Sequence, residues 1–200
     1  MSQEQGSQFA IRISELAVEE SDRVSGVGQR TSAIYPPPVI SRAINAALLR
    51  RDPYLYMVVA SDGVADGAIM VSLVWAILMT PLLIKGIPVF SAVRLILSGL
   101  FSWIILSGLV YLIGRRLLEG YGSFPGVMAA TSIGTPVLLS SIALAPFVDP
   151  FAARLIVSVW LVLTLWMAAR VALELSREKA ALAAVGGWVA FIVVSALFRF

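Results

Sequence analysis

The chain contains neither cysteine nor histidine, and only 14% of its 200 residues are charged. Without histidine there is no Ser-His-Asp or Cys-His triad, no His-ligated metal or haem, and no imidazole proton relay. Without cysteine there is no disulfide, thiolate zinc site, thiol nucleophile or iron–sulfur ligation. The scarcity of charge is matched by an apolar excess of 59%. Ordinary soluble domains are about 45–50% apolar and about 25% charged. A soluble domain of this length has too little interior to hide so much apolar surface, so that class is excluded first.

Charge is also unevenly placed. Residues 1–66 carry 14 of the 27 charged residues, and the rest gather in small groups between long uncharged runs. Crossing the hydrocarbon takes roughly 20 apolar residues. Five runs meet that need, at about 67–84, 95–114, 124–148, 151–173 and 180–198. The fourth is the shortest, because only 15 residues separate Arg154 from Arg170. Both arginines can snorkel, and the apolar flanks 151–153 and 171–173 extend the run, so a full span is preferred to a helix lying flat. The expected fold is an all-α integral membrane protein with five transmembrane helices in a bundle. A flexible polar tail (1–40) and a short cytoplasmic, interfacial segment (41–66) precede the transmembrane domain (67–200).

Placing the N-terminus inside puts eleven basic residues on the cytoplasmic side and four on the far side, so the C-terminus is expected outside. No short apolar core follows a basic start, so no cleavable signal peptide is expected. Residues 1–33 are rich in Ser, Gln, Glu and Gly and are read as largely disordered, with a weak strand-like alternation at Phe9, Ile11 and Ile13. Tyr35-Pro36-Pro37-Pro38 predicts extended, polyproline-like chain. Ser41 then caps a helix over Arg42–Arg51, with Ile44, Ala47 and Leu48 on one stripe and Pro53 ending it. That helix lies either on the anionic membrane surface or against the protein's own loops. Tyr54 and Tyr56 suit the interface.

Few residues suggest chemistry. Asp62 and Asp66 stand at i, i+4, on one helix face at the mouth of span one. They form either a cation or proton site or, as preferred here, the acidic start of a helix that Ser61 caps. Two acids without a third ligand make a poor metal site. Span three holds Gly126, Ala130 and Gly134 at four-residue spacing, hydroxyl residues at 131, 132, 135, 140 and 141, and Pro136. Such a span belongs inside the bundle, kinked near Pro136, either packing on neighbours or lining a path. Ala183 and Gly187 give span five a similar face for a neighbour in the same chain or another copy. In Gly120-Tyr121-Gly122-Ser123-Phe124-Pro125, Ser123 can cap and Pro125 suits a first helical turn. The run lacks the lysine and spacing of a phosphate-binding loop. A net charge of +3 scattered around membrane spans gives no nucleic-acid surface.

Four short stretches carry a family resemblance. They are Arg50-Arg51-Asp52-Pro53 before span one, Gly114-Arg115-Arg116 closing span two, Gly122-Ser123-Phe124-Pro125 opening span three and Glu178-Lys179-Ala180 opening span five. In order and spacing, residues 41–198 resemble the Yip-domain family of integral membrane proteins, known for Rab GTPase-interacting members, and in particular its bacterial branch. The resemblance implies a five-helix bundle with a cytoplasmic N-terminus; it does not imply a catalytic site, and no cofactor is expected.

The expected function is therefore non-enzymatic. The chain is read as a scaffold or accessory subunit of a bacterial inner membrane, binding other membrane proteins or copies of itself through its spans and tail. The alternative is a small, perhaps oligomeric, transporter or channel with span three lining the path. No span carries a charge at its middle, which ranks transport second.

Overall fold

A computed structural model describes residues 39–198; the readings made above for residues 1–38 lie outside the described residues. Five helices in the described part are long and apolar enough to cross a membrane, at Gly63–Ile84, Val89–Leu117, Phe124–Leu144, Pro150–Ala172 and Arg177–Leu197. They alternate in direction, so the bundle has two ends. The loops 118–123 and 173–176 share one end with the start of span one, and the loops 85–88 and 145–149 share the other.

Two short helices come first, α1 (Val39–Ala47) and α2 (Arg51–Val59). The chain does not run as one helix to Pro53. Helix α1 stops after Ala47 because Leu49 turns left-handed, with φ 58°. The amide of Leu49 then donates to the Ala46 carbonyl and that of Arg50 to Asn45. This pair of bonds is a Schellman closure, built here on leucine where glycine is usual. Pro53 opens the second helix instead of closing the first, since a first turn has no use for its missing N–H. Ser41 lies inside α1 and does not begin it.

Span one is α3 (Gly63–Ile84), and span two is α4 (Val89–Leu112) with a π-helical turn, Ile113–Leu117, continuing it. Span two starts six residues earlier than expected and takes Arg94 into its second turn. An arginine that near a helix end can still reach the interface, so it marks a poor boundary. Span three, expected to kink near Pro136, is instead broken at residues 133–134. It comprises α5 (Phe124–Ser132), a 3₁₀ turn (Thr135–Leu139) and α6 (Ser140–Leu144). Asp149, whose carboxylate accepts from the amides of Phe151 and Ala152, caps span four, α7 (Pro150–Ala172). Span five is α8 (Arg177–Phe198).

Span three holds the centre. It is the most enclosed of the five, and α5 packs on α2, α3, α4 and α7. Lipid tails give no hydrophobic gain for bringing spans together, so close approach of small residues and shared hydroxyls must do it. A side chain at Gly134 would begin 2.7 Å from the Thr164 hydroxyl, and one at Gly67 would begin 2.6 Å from that of Ser132. Across the α4–α5 contact, the Trp103 indole donates to Thr131 Oγ1 at 3.1 Å, and the Ser107 and Thr131 hydroxyls lie 2.7 Å apart. The other buried hydroxyls turn back on their own helices, as Ser132 does to the Ala129 carbonyl and Thr135 to that of Ser132. Among the described residues, no buried side-chain N or O lacks a partner.

A candidate platform and hairpin at one end of the bundle

Three of the four resemblance-bearing stretches meet at the end formed by loops 118–123 and 173–176. The π-turn brings the Leu118 amide to the Ile113 carbonyl, and Gly120 then closes back on Gly114 at 2.9 Å. Glu119, between them, is left-handed with φ 59°. One Arg115 nitrogen donates to the carbonyls of both Tyr121 and Gly122, at 3.1 and 3.0 Å, and so folds the loop over the end of span two. The Tyr121 amide reaches across to the Leu173 carbonyl at 3.1 Å.

Space is tight at two glycines here, and at the second it is backbone that leaves no room. A side chain at Gly114 would run into Leu173, and one at Gly122 would overlap the Ala172 carbonyl. Lys179 joins from span five by donating to the Leu118 carbonyl at 3.2 Å, and the Trp166 indole ties the loop 173–176 by donating to Arg177. Ala180 beneath them is fully buried. At the start of span three, Ser123 Oγ accepts from the Gly126 amide, and Pro125 sits in the first turn. The product is a rigid platform whose free surface shows Leu117 and Tyr121, 73% and 82% exposed, beside exposed Arg116.

The fourth stretch, Arg50-Arg51-Asp52-Pro53, lies elsewhere, at the tip of the α1–α2 hairpin. The helices run antiparallel: the Arg42 guanidinium lies 4.2 Å from the Tyr56 ring centre, and the Tyr54 hydroxyl donates to the Ala46 carbonyl at 2.9 Å. Ala46 and Tyr54 are fully buried against the bundle. Helix α1 therefore packs on the protein, through Ala46 and not through its apolar stripe. Ile44 and Leu48 of that stripe are more than half exposed.

Asp62 and Asp66 open span one together, joined by the Asp66 amide donating to the Asp62 carbonyl. Ser61 does not cap the helix; its hydroxyl reaches Asp62 Oδ2 at 3.5 Å. Both acids border an open recess of about 560 Å³ between α2 and α3, and Asp52 and Tyr56 border it too. Sequence spacing missed Asp52, because the hairpin, not helical periodicity, brings it there. Among the described residues no three His, Cys, Asp or Glu side chains are grouped to hold a metal ion.

The remaining sequence candidates lie in contacts within the chain. Ala130 is fully buried in span three, and Gly126 faces Val58 of the hairpin. The break at Gly134 leads into the 3₁₀ turn that contains Pro136. Ala183 lies against Gly114, and Gly187 lies under Val110 of span two.

These features define a five-span helical membrane protein with a fixed loop platform at one end. The sequence pattern of the Yip1 domain matches residues 42–198, so the chain belongs to the Yip1-domain family, which is one of non-catalytic membrane proteins. No curated protein and no solved structure matches it.

Proposed function

We propose that this Yip1-domain protein is a non-enzymatic scaffold or accessory subunit of a bacterial inner membrane, with its loop platform and N-terminus in the cytoplasm. The platform is the observation that carries the reading. Its backbone is held by Arg115, Lys179 and the Tyr121–Leu173 bond, and its outer face offers an aromatic, an aliphatic and a cationic side chain together. Aromatic and arginine side chains on a preformed surface suit a protein partner, because little order must be gained on binding. The excess of basic residues at this end supports the cytoplasmic orientation.

The test is gentle purification of the native protein, followed by mass measurement of the intact complex. A stoichiometric partner should be lost on Leu117→Ser/Tyr121→Ser and kept on Phe147→Ser at the opposite end. Recovery of the native protein as a lone monomer overturns the proposal. A C-terminal reporter that works only in the cytoplasm should stay silent.

The broken third span favours a second reading as a transporter, since discontinuous helices at mid-membrane line many transport sites. Liposome flux that depends on Gly134 and Asp66 would establish it, and absence of flux under every gradient would remove it.

A further inference from the structure

The α1–α2 hairpin reaches the middle of the bundle. The Trp160 indole donates to the Ala47 carbonyl at 2.8 Å. Trp160 lies ten residues from Pro150 and twelve from Ala172 in span four. At 1.5 Å per residue it stands about 15 and about 18 Å from the two ends. A second marker agrees: α1 touches the 3₁₀ turn of span three, which follows Gly134, the midpoint of Phe124–Leu144. The other end of the hairpin is shallow, since Val58 sits beside Gly126, the third residue of span three.

One side of the hairpin is surfaced for hydrocarbon. Ile44 and Leu48 of α1 are 56% and 59% exposed, while Leu55 and Val59 of α2 line the recess with Asp52, Asp62 and Asp66. The carbonyls at the end of α1 are met internally, by Trp160, by Tyr54 and by the Schellman bonds. Internal pairing of this kind is required where no water is available. Yet the exposed tip carries Arg50 and Arg51. Arginine at mid-bilayer is costly, and the cost is relieved by local thinning that brings headgroups and water to it. Guanidinium pairs with phosphate through paired, directional hydrogen bonds.

We propose that residues 39–59 form a re-entrant hairpin whose Arg50–Arg51 tip draws phospholipid phosphates toward mid-membrane and thins the bilayer beside spans three and four. The hairpin is then a membrane-deforming element. This proposal stands whether or not the platform binds a partner.

The native absence of cysteine makes the test direct. Single cysteines replace Leu48, Val159 or Tyr121 in the full chain, carry a nitroxide and are reconstituted in phosphatidylglycerol–phosphatidylethanolamine vesicles. Relative access of oxygen and a nickel chelate reports depth. In the Arg50→Leu/Arg51→Leu chain, where nothing draws headgroups inward, the Leu48 label should read as deep as Val159, and a Leu48 label at the Tyr121 depth there overturns the re-entrant hairpin. Broadening of the lipid ³¹P signal reports phosphates near each label. It should be greater for Leu48 than for Val159, should fall to the Val159 level in Arg50→Leu/Arg51→Leu, and should persist in Arg50→Lys/Arg51→Lys. Equal broadening from both labels, or broadening indifferent to the leucine substitutions, overturns the phosphate-drawing role.

Discussion

Two aromatic donors hold the hairpin, and the structure ranks them. Trp160 gives its indole N–H to the Ala47 carbonyl, and Tyr54 gives its hydroxyl to the Ala46 carbonyl. Ala46 has a second donor, the Leu49 amide at 2.9 Å. Tyr54→Phe therefore deletes one bond from an acceptor that stays paired, at a cost of about 0.5–1.5 kcal/mol. Trp160→Phe takes from Ala47 the side-chain donor that closes the end of α1, and, with the hairpin inside the bilayer as proposed, leaving that carbonyl unmet away from water costs about 1–3 kcal/mol. Spread over a chain of this size, each kcal/mol lowers the midpoint by about 2–4 °C. Thermal unfolding in mild detergent, followed by loss of the monodisperse peak, should thus show a larger drop for Trp160→Phe. Amide exchange adds a local readout, because residues 48–51 should open first in that variant. The smaller ring also loses contact area, but Trp160 is 38% exposed, so that part is modest. If Tyr54→Phe costs as much as Trp160→Phe, or if exchange over 48–51 is unchanged in the latter, the assignment of the tryptophan as the hairpin's anchor is wrong.

Other substitutions probe the platform and the centre. Gly122→Ala places a methyl on the Ala172 carbonyl and should cost at least about 1–3 kcal/mol, seen as lower yield and lower midpoint, because backbone cannot yield as a side chain does. Glu119→Gly and Glu174→Gly relieve exposed residues at φ 59° and 54°. The left-handed penalty of about 1–2 kcal/mol exceeds glycine's entropic cost of about 0.5–1 kcal/mol, so each should raise the midpoint slightly. Thr131→Val strips the Trp103 indole of its acceptor, and should lower stability toward the upper end of measured bilayer hydrogen bonds, about 1.7 kcal/mol. Lys179→Met removes the donor to Leu118 and should loosen residues 118–122 in amide exchange with little change in global stability, as for an exposed single bond.

How much of this was readable in the sequence depends on which physical rule each residue obeyed. The five spans were legible because hydrocarbon imposes a length and expels charge, and that rule acts on every residue of a run. Its largest misreading, the start of span two, came from treating Arg94 as a wall when a long side chain can lie inside the helix and end at the surface. Irregularity in span three was legible, though as a kink near Pro136 and not as the break before it, because proline and clustered hydroxyls alter backbone bonding locally. The hairpin was not. Its turn rests on a left-handed leucine, for which sequence offers no glycine signal. Its place against the bundle rests on a bond between residues 113 apart in the chain and on the contact of α1 with the 3₁₀ turn.

Periodicity showed that α1 has an apolar stripe, Ile44–Leu48, and left open whether it meets the membrane surface or the protein; in soluble folds the habit of such a stripe is to face the core. In a membrane protein that habit inverts. A helix between bundle and lipid can turn its large apolar residues outward and its smallest, Ala46, inward. Small residues buy close contact, whereas bulk faces solvent chains as apolar as itself. The same inversion explains why glycines at 114, 122, 134 and 187, which weigh little in any hydrophobic count, fix most of the close approaches in this molecule.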